Sequence, residues 1–292
     1  MLAIAPRDLA LLVFICLIWG FNLIVSKYGV GEFPPLFFTA MRFALVGLLL
    51  LPFVRVSRGQ MGAIVVAALF SGAAHFSTLF AGLAIADNVS SVAIAGQLGV
   101  PFTTLMSIAF LGEVVRWRRW LGIALAFGGV MLIGLDPGIF QFWEGLGLVV
   151  LSAFTGSLGL MAVKKLTGWN PLELQAWVAI ISFPVVGLFS YFFESGHAEA
   201  VASASLTGWM ALVFTVLMAS IVAHTGYYYL VHKYPVTSVS PLTVLSPVFG
   251  VYFGVTIFGD DLGPRLVLGA IMTLTGVFIV ALRERKIIET GT

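Results

Sequence analysis

The chain has 292 residues, of which 60% are hydrophobic and only 10% charged, and its mean hydropathy is +1.07. A soluble domain carries about 25% charged residues, so an ordinary soluble fold is excluded, and a net charge of +2 carries no nucleic-acid signal. With Cys16 as its single cysteine the chain can form no intramolecular disulfide.

Apolar segments of membrane-spanning length follow one another along the chain at 8–29, 35–55, 62–84, 89–110, 119–136, 145–164, 171–193, 207–230, 236–258 and 264–282. The first reads as a retained span. It is about 20 residues long, shows no A-x-A cleavage site and leads into Asn22, Ser26 and Lys27. Lys and Arg fall in every second gap. Arg7; Arg55 and Arg58; Arg116, Arg118 and Arg119; Lys164 and Lys165; Lys233; and Arg283, Arg285 and Lys286 make twelve of the fifteen basic residues. Only Lys27 and Arg265 lie on the other side, and Arg42 lies inside the second segment. The positive-inside rule then predicts ten transmembrane helices with both termini cytoplasmic, in the cell membrane and, by expectation, a bacterial inner membrane.

The second half of the chain resembles the first. At a shift of 147, Gly112, Arg118, Leu121, Gly122, Gly129 and Val130 fall on Gly259, Arg265, Leu268, Gly269, Gly276 and Val277, and Glu113 falls on Asp260. Pro101 falls on Pro247 at a shift of 146, and Lys27 and Pro34 fall on Lys164 and Pro171 at 137. These matches predict two units, 1–136 and 145–285. Each holds five spans, an odd number, so the second is inverted relative to the first. The charges agree: loop 112–119 is basic, whereas its counterpart 259–265 carries Asp260, Asp261 and a lone Arg265. Inverted repeats are a feature of secondary transporters, with the substrate site near the midplane. The fold class expected is therefore all-α integral membrane, ten transmembrane helices as two inverted five-helix repeats.

Pro101, Leu111-Gly112-Glu113, Gly122 and Gly128-Gly129, with Trp19-Gly20 and Arg42 before them, resemble the EamA-type unit of the drug/metabolite transporter superfamily. Pro247, Phe258-Gly259-Asp260, Gly269 and Gly276 repeat the pattern. Within the superfamily the chain is most similar to the YddG-type aromatic and amino-acid exporters. Asp260 stands where the family usually has Glu, and Trp19 and Arg42 have no match in the second unit. The resemblance implies ten helices and export of small metabolites, by alternating access.

Polar groups inside spans need a partner or a task. His75 is near the middle of the third segment, Gln97 of the fourth, and His224 in the inner half of the eighth. These three are the main candidates to line a central substrate cavity, with Asn22, Trp19 and Tyr228 behind them; each could instead make an interhelical hydrogen bond. Pro101 and Pro247, at repeat-related positions, remove a helical donor and are candidate kink or gating points. Arg42 could snorkel, pair with a substrate carboxylate or close a gate; a structural pairing is the expectation. Glu113 and Asp260 are expected to face the N-terminus of the span that follows each, and Gly250-x-x-x-Gly254 to permit close helix approach within or between chains.

No Asp or Glu lies clearly at mid-span, against the four-helix proton-coupled pumps, although a histidine could carry a proton. There is no P-loop, HExxH or GxSxG sequence, so no cofactor, no metal and no enzymatic role are expected. The sequence reads as a transporter exporting amino acids, aromatic or large neutral ones included, with the lipid bilayer and a small-molecule substrate as partners and no nucleic acid; it leaves the oligomeric state open, a monomer being plausible. A proton-coupled drug or other metabolite exporter of the same fold is the alternative; an intramembrane enzyme or a channel is more remote.

Overall fold

A computed structural model describes residues 4–55, 59–111, 117–234 and 239–282. Gly112, Glu113, Arg58, Arg116, Arg283, Arg285 and Lys286 lie outside the described residues. Those described are helical with short connections and contain no strand. The main helices are α1 Pro6–Glu32, α2 Pro35–Phe53, α3 Met61–Ile85, α4 Val89–Phe110, α5 Trp117–Gly134, α6 Trp143–Val163, α7 Pro171–Phe193, α8 Leu206–Leu230, α9 Leu242–Phe258 and α10 Pro264–Ala281. Eight are long and apolar enough to cross a membrane; α9 is a shorter apolar helix, and α5 opens on Arg118 and Arg119. The chain is a multi-pass membrane protein.

The sequence sets the helix starts. Pro6, Pro35, Pro171 and Pro264 each open a helix, where the missing N–H costs nothing. Asn88, Asn170 and Ser205 cap α4, α7 and α8 by accepting from Ser91, Leu172 and Gly208 backbone N–H groups. Inside the spans, Thr39, Ser71, Thr78, Thr104, Thr155 and Ser157 donate to the carbonyl four residues back. Lipid offers these hydroxyls no partner, so the helix supplies one.

Besides a 3-10 end at Leu51–Phe53 in α2 and a π end at Gly254–Phe258 in α9, four helices depart from α geometry in two matching pairs. In α3 a π segment, Ala68–Ala74, runs directly into His75; in α8 a longer one, Thr215–Ala223, runs directly into His224. In α4 a 3-10 turn, Gly96–Leu98, precedes Pro101, and a 3-10 turn, Ser240–Val244, leads into α9 ahead of Pro247. The irregularity lies before each proline, not at it. A proline leaves the carbonyl four residues back without its α donor; that carbonyl belongs to Gln97 in one case and Thr243 in the other, each inside the 3-10 turn.

Packing follows a crosswise pattern. Helix α1 packs on α8 and α9, α6 packs on α3 and α4, α2 on α7, and α5 on α10. The α5–α10 contact is reciprocal and antiparallel. A Cβ added at Gly122 would lie 3.0 Å from the Gly276 carbonyl oxygen, and one at Gly129 would lie 2.5 Å from that of Gly269. Small residues set this backbone approach. Gly276→Leu, whose Cβ would start 2.5 Å from the Gly122 carbonyl oxygen, is therefore expected to lower stability by about 1–3 kcal/mol, read as a fall in the melting temperature of the purified protein. Gly250 serves the same purpose within the chain: a Cβ there would sit 2.9 Å from Ala93 Cβ, and Gly20 faces it from α1.

The two ends of the bundle differ. At the end bearing Lys27, side chains of one helix cap another. Glu194 accepts from the Leu36 and Phe37 N–H groups at the start of α2, and Glu32 accepts from Ser205 N and Oγ ahead of α8. Asp260 accepts from Val89 N, Ser90 N and Ser90 Oγ at the start of α4. Asp260 thus caps α4, not the following span as the sequence implied, because the left-handed Gly259 (φ 71°) turns the chain back over α4. Lys27 Nζ donates to the Leu83, Ala84 and Ala86 carbonyls at the end of α3, where a cation also meets the negative end of the helix dipole. At the opposite end, Lys233 Nζ lies 2.8 Å from Asp8 Oδ2, and this bond holds the lysine above its ordinary pKa. Lys164 there is exposed.

Candidate functional site

A cavity of about 330 Å³ lies among α3, α4, α6, α7, α8, the start of α9 and the end of α10. Its wall includes Ser71, His75 and Phe76 from α3; Gly96, Gln97 and Val100 from α4; Gly156 and Ser157 from α6; Gln175 from α7; and His224 and Tyr228 from α8. Lys164 and Ala281 line it toward one end of the bundle. No lining residue belongs to the capped end at Lys27, so the hollow extends to one side only.

The two histidines are set alike. His75 Nδ1 lies 2.8 Å from the Ser152 carbonyl oxygen and 2.9 Å from Ser152 Oγ on α6. His224 Nδ1 lies 2.5 Å from the Ala219 carbonyl oxygen, five residues back, in the π segment. A carbonyl only accepts, so Nδ1 carries the hydrogen in both neutral rings and Nε2 is left as an acceptor. Gly156 makes room for this: a Cβ on it would meet His75 Nδ1 at 2.8 Å. Phe76 bridges the two rings, with centroids 4.6 Å from His75 and 6.1 Å from His224. Gln97, half-buried in the 3-10 turn, makes no side-chain hydrogen bond to protein among the described residues. Its amide is available as both donor and acceptor.

Of the six residues singled out in the sequence as cavity candidates, His75, Gln97, His224 and Tyr228 line one wall together. The other two stand behind it. Trp19 on α1 packs edge-on against His224 at 5.2 Å and lies tilted against Tyr227 at 5.3 Å. Asn22 Oδ1 accepts from Thr215 Oγ1 at 3.0 Å, an α1–α8 tie. Pro101 and Pro247 are buried. Sequence reasoning overlooked Gln175, Ser71 and the role of Phe76. One signal was readable: Ser71-Gly-Ala-Ala-His75 and Ser220-Ile-Val-Ala-His224 share a serine four residues before the histidine, and an alanine just before it. No group of three or more His, Cys, Asp or Glu placed to hold a metal ion occurs among the described residues.

Arg42, on α2, does not snorkel. It is 1% exposed, and its Nε donates to Ser220 Oγ at 2.8 Å. Its guanidinium carbon stands 3.8 Å from the Phe76 ring centroid. The expected structural pairing is thus with a neutral hydroxyl and an aromatic face.

Comparison with known proteins agrees with this architecture. The model of the EamA-like transporter family matches the chain twice, at residues 8–135 and 143–282. A probable amino-acid metabolite efflux pump of Escherichia coli (strain K12) is 26% identical over 298 residues, covering 98% of this chain and 99% of its own. A protein of the same description from Salmonella typhimurium is 25% identical over 281 residues, covering 94% of each. A solved structure, described only as a crystal structure of protein, shares the fold with a TM-score of 0.66 at 16% identity, over 97% of this chain and 99% of its own. Two family matches that together span nearly the whole chain make it a member of the EamA-like transporter family.

Proposed function

We propose that the chain exports amino acids, large neutral and aromatic ones included, by alternating access through the central cavity, between two inverted five-helix units at 1–136 and 145–285. The observation that carries this is the cavity wall. His75 and His224 present acceptors, Gln97 offers a neutral amide, and Phe76 and Tyr228 supply aromatic surface, at a place open toward one end of the bundle and capped at the other. A zwitterion with an apolar side chain needs both kinds of surface. The names of the Escherichia coli and Salmonella relatives point to the same substrate class.

The packing supports the inverted repeat. A two-fold axis exchanging the units would turn the α1 contacts with α8 and α9 into the α6 contacts with α3 and α4. It would also make α2 with α7, and α5 with α10, self-paired. The Gly122–Gly276 and Gly129–Gly269 contacts are of that kind. The basic residues support an orientation in which Lys164, at the hollow end, lies on the cytoplasmic side. The state described is then inward-facing, with the external side closed by Lys27, Asp260, Glu32 and Glu194. Outward opening requires those caps to part.

Counterflow in proteoliposomes tests the assignment. Vesicles loaded with unlabelled L-phenylalanine or another amino acid should accumulate the labelled compound transiently above equilibrium. Absence of exchange with every amino acid, in protein shown to be folded, would remove the substrate class.

A further inference from the structure

Among the described residues, Arg42 on α2 is a fully buried cation inside a span. Among the described residues no acidic side chain pairs with Arg42. Its Nε is used by Ser220, but its Nη1 is buried without a hydrogen-bond partner. Three rings surround the guanidinium carbon: Phe76 at 3.8 Å, Phe80 at 5.6 Å and Phe43 at 5.7 Å. Aromatic faces stabilise a desolvated guanidinium, yet they leave its planar fork of donors unused. An unpaired charge in a span is costly and commonly serves a substrate or ion.

The fork lies next to the cavity. Ser220, which holds Nε, is one helical turn before His224 on α8. Phe76, which covers the guanidinium, is itself a wall residue. Phe76 therefore touches both Arg42 and the space that His75 and His224 bound. We infer that Arg42 is the carboxylate subsite of the transport site, reached when the Phe76 ring turns aside, and that it selects substrates bearing a carboxylate over cations and neutral analogues. The inference rests on the amino-acid reading above and deepens it. A carboxylate takes the two-pronged hydrogen bonding that only a guanidinium supplies. The histidine Nε2 acceptors then face the ammonium group of the same molecule.

The test uses purified full-length protein in proteoliposomes and counterflow of labelled L-phenylalanine. L-Phenylalaninamide and phenethylamine, which lack the carboxylate, serve as competitors. In the wild type both should compete at least tenfold more weakly than unlabelled phenylalanine. Arg42→Gln should raise the half-saturating phenylalanine concentration at least tenfold and close the gap between phenylalanine and the two analogues. Arg42→Lys, which keeps the charge and loses the fork, should fall between. Equal competition by amide, amine and amino acid in the wild type would overturn the subsite whether or not any variant folds. So would wild-type discrimination in either folded variant. Failure of the wild type to exchange any amino acid would overturn the export reading itself, and the subsite with it.

Discussion

Gly96→Trp is expected to abolish transport while leaving the protein folded. Gly96 lines the cavity, and a Cβ built on it meets nothing within 4 Å. The side chain therefore starts in open space, beside a cavity of about 330 Å³. Its backbone is an ordinary right-handed turn at the start of Gly96–Leu98, so it carries no steric penalty for a side chain. An indole there occupies the volume that the substrate needs. Exchange of labelled phenylalanine should fall at least a hundredfold, and the melting temperature in detergent should stay within a few degrees of the wild type. Transport at the wild-type rate in Gly96→Trp would mean that substrate passes elsewhere.

The second large effect is expected at the histidines. His224→Ala removes an acceptor from the cavity wall and the ring on which Trp19 packs. His75→Ala removes the corresponding acceptor and leaves the Ser152 carbonyl without its ring N–H. Losing one partner of a buried polar contact costs about 1–3 kcal/mol, so the half-saturating concentration should rise about fivefold or more in each single variant. His75→Ala should also cost some stability, because its ring ties α3 to α6; His224→Ala should cost less, since its bond stays within α8. Concentration dependence of counterflow, with melting curves alongside, separates the two contributions. Unchanged saturation in both variants would move the binding site away from this wall.

Much of the architecture was legible because a membrane imposes strong rules. Long apolar runs, helix-opening Pro6, Pro35, Pro171 and Pro264, and capping Asn88, Asn170 and Ser205 mark the spans directly. His75, Gln97, His224 and Tyr228 stood out because polar side chains are scarce in such segments. Local irregularity was not legible. In a span apolar on every face, residue type does not tell an α turn from the π segments at Ala68–Ala74 and Thr215–Ala223. Nor could spacing reveal partners far apart in the chain. Thr215 claims Asn22 across 193 residues, and Asp260 caps Val89 and Ser90 rather than its own neighbour. The burial of Arg42 against Ser220 and Phe76 is likewise a property of the folded helices: the sequence favoured a structural pairing but named no partner, and left a route to the interface by snorkelling open.

The claim that the central cavity is the transport site, open to the cytoplasm in the state described, is tested most directly by Val100→Cys. Val100 lines the cavity beside Pro101, and the native Cys16 is fully buried, so the introduced thiol is the reporter. An impermeant thiol reagent should label it readily in inside-out vesicles and slowly in right-side-out vesicles. L-phenylalanine should protect it in the first case and change the labelling rate in the second as the protein cycles. Labelling from the outside alone, or a rate that phenylalanine alters on neither side, would contradict a central amino-acid site with this orientation.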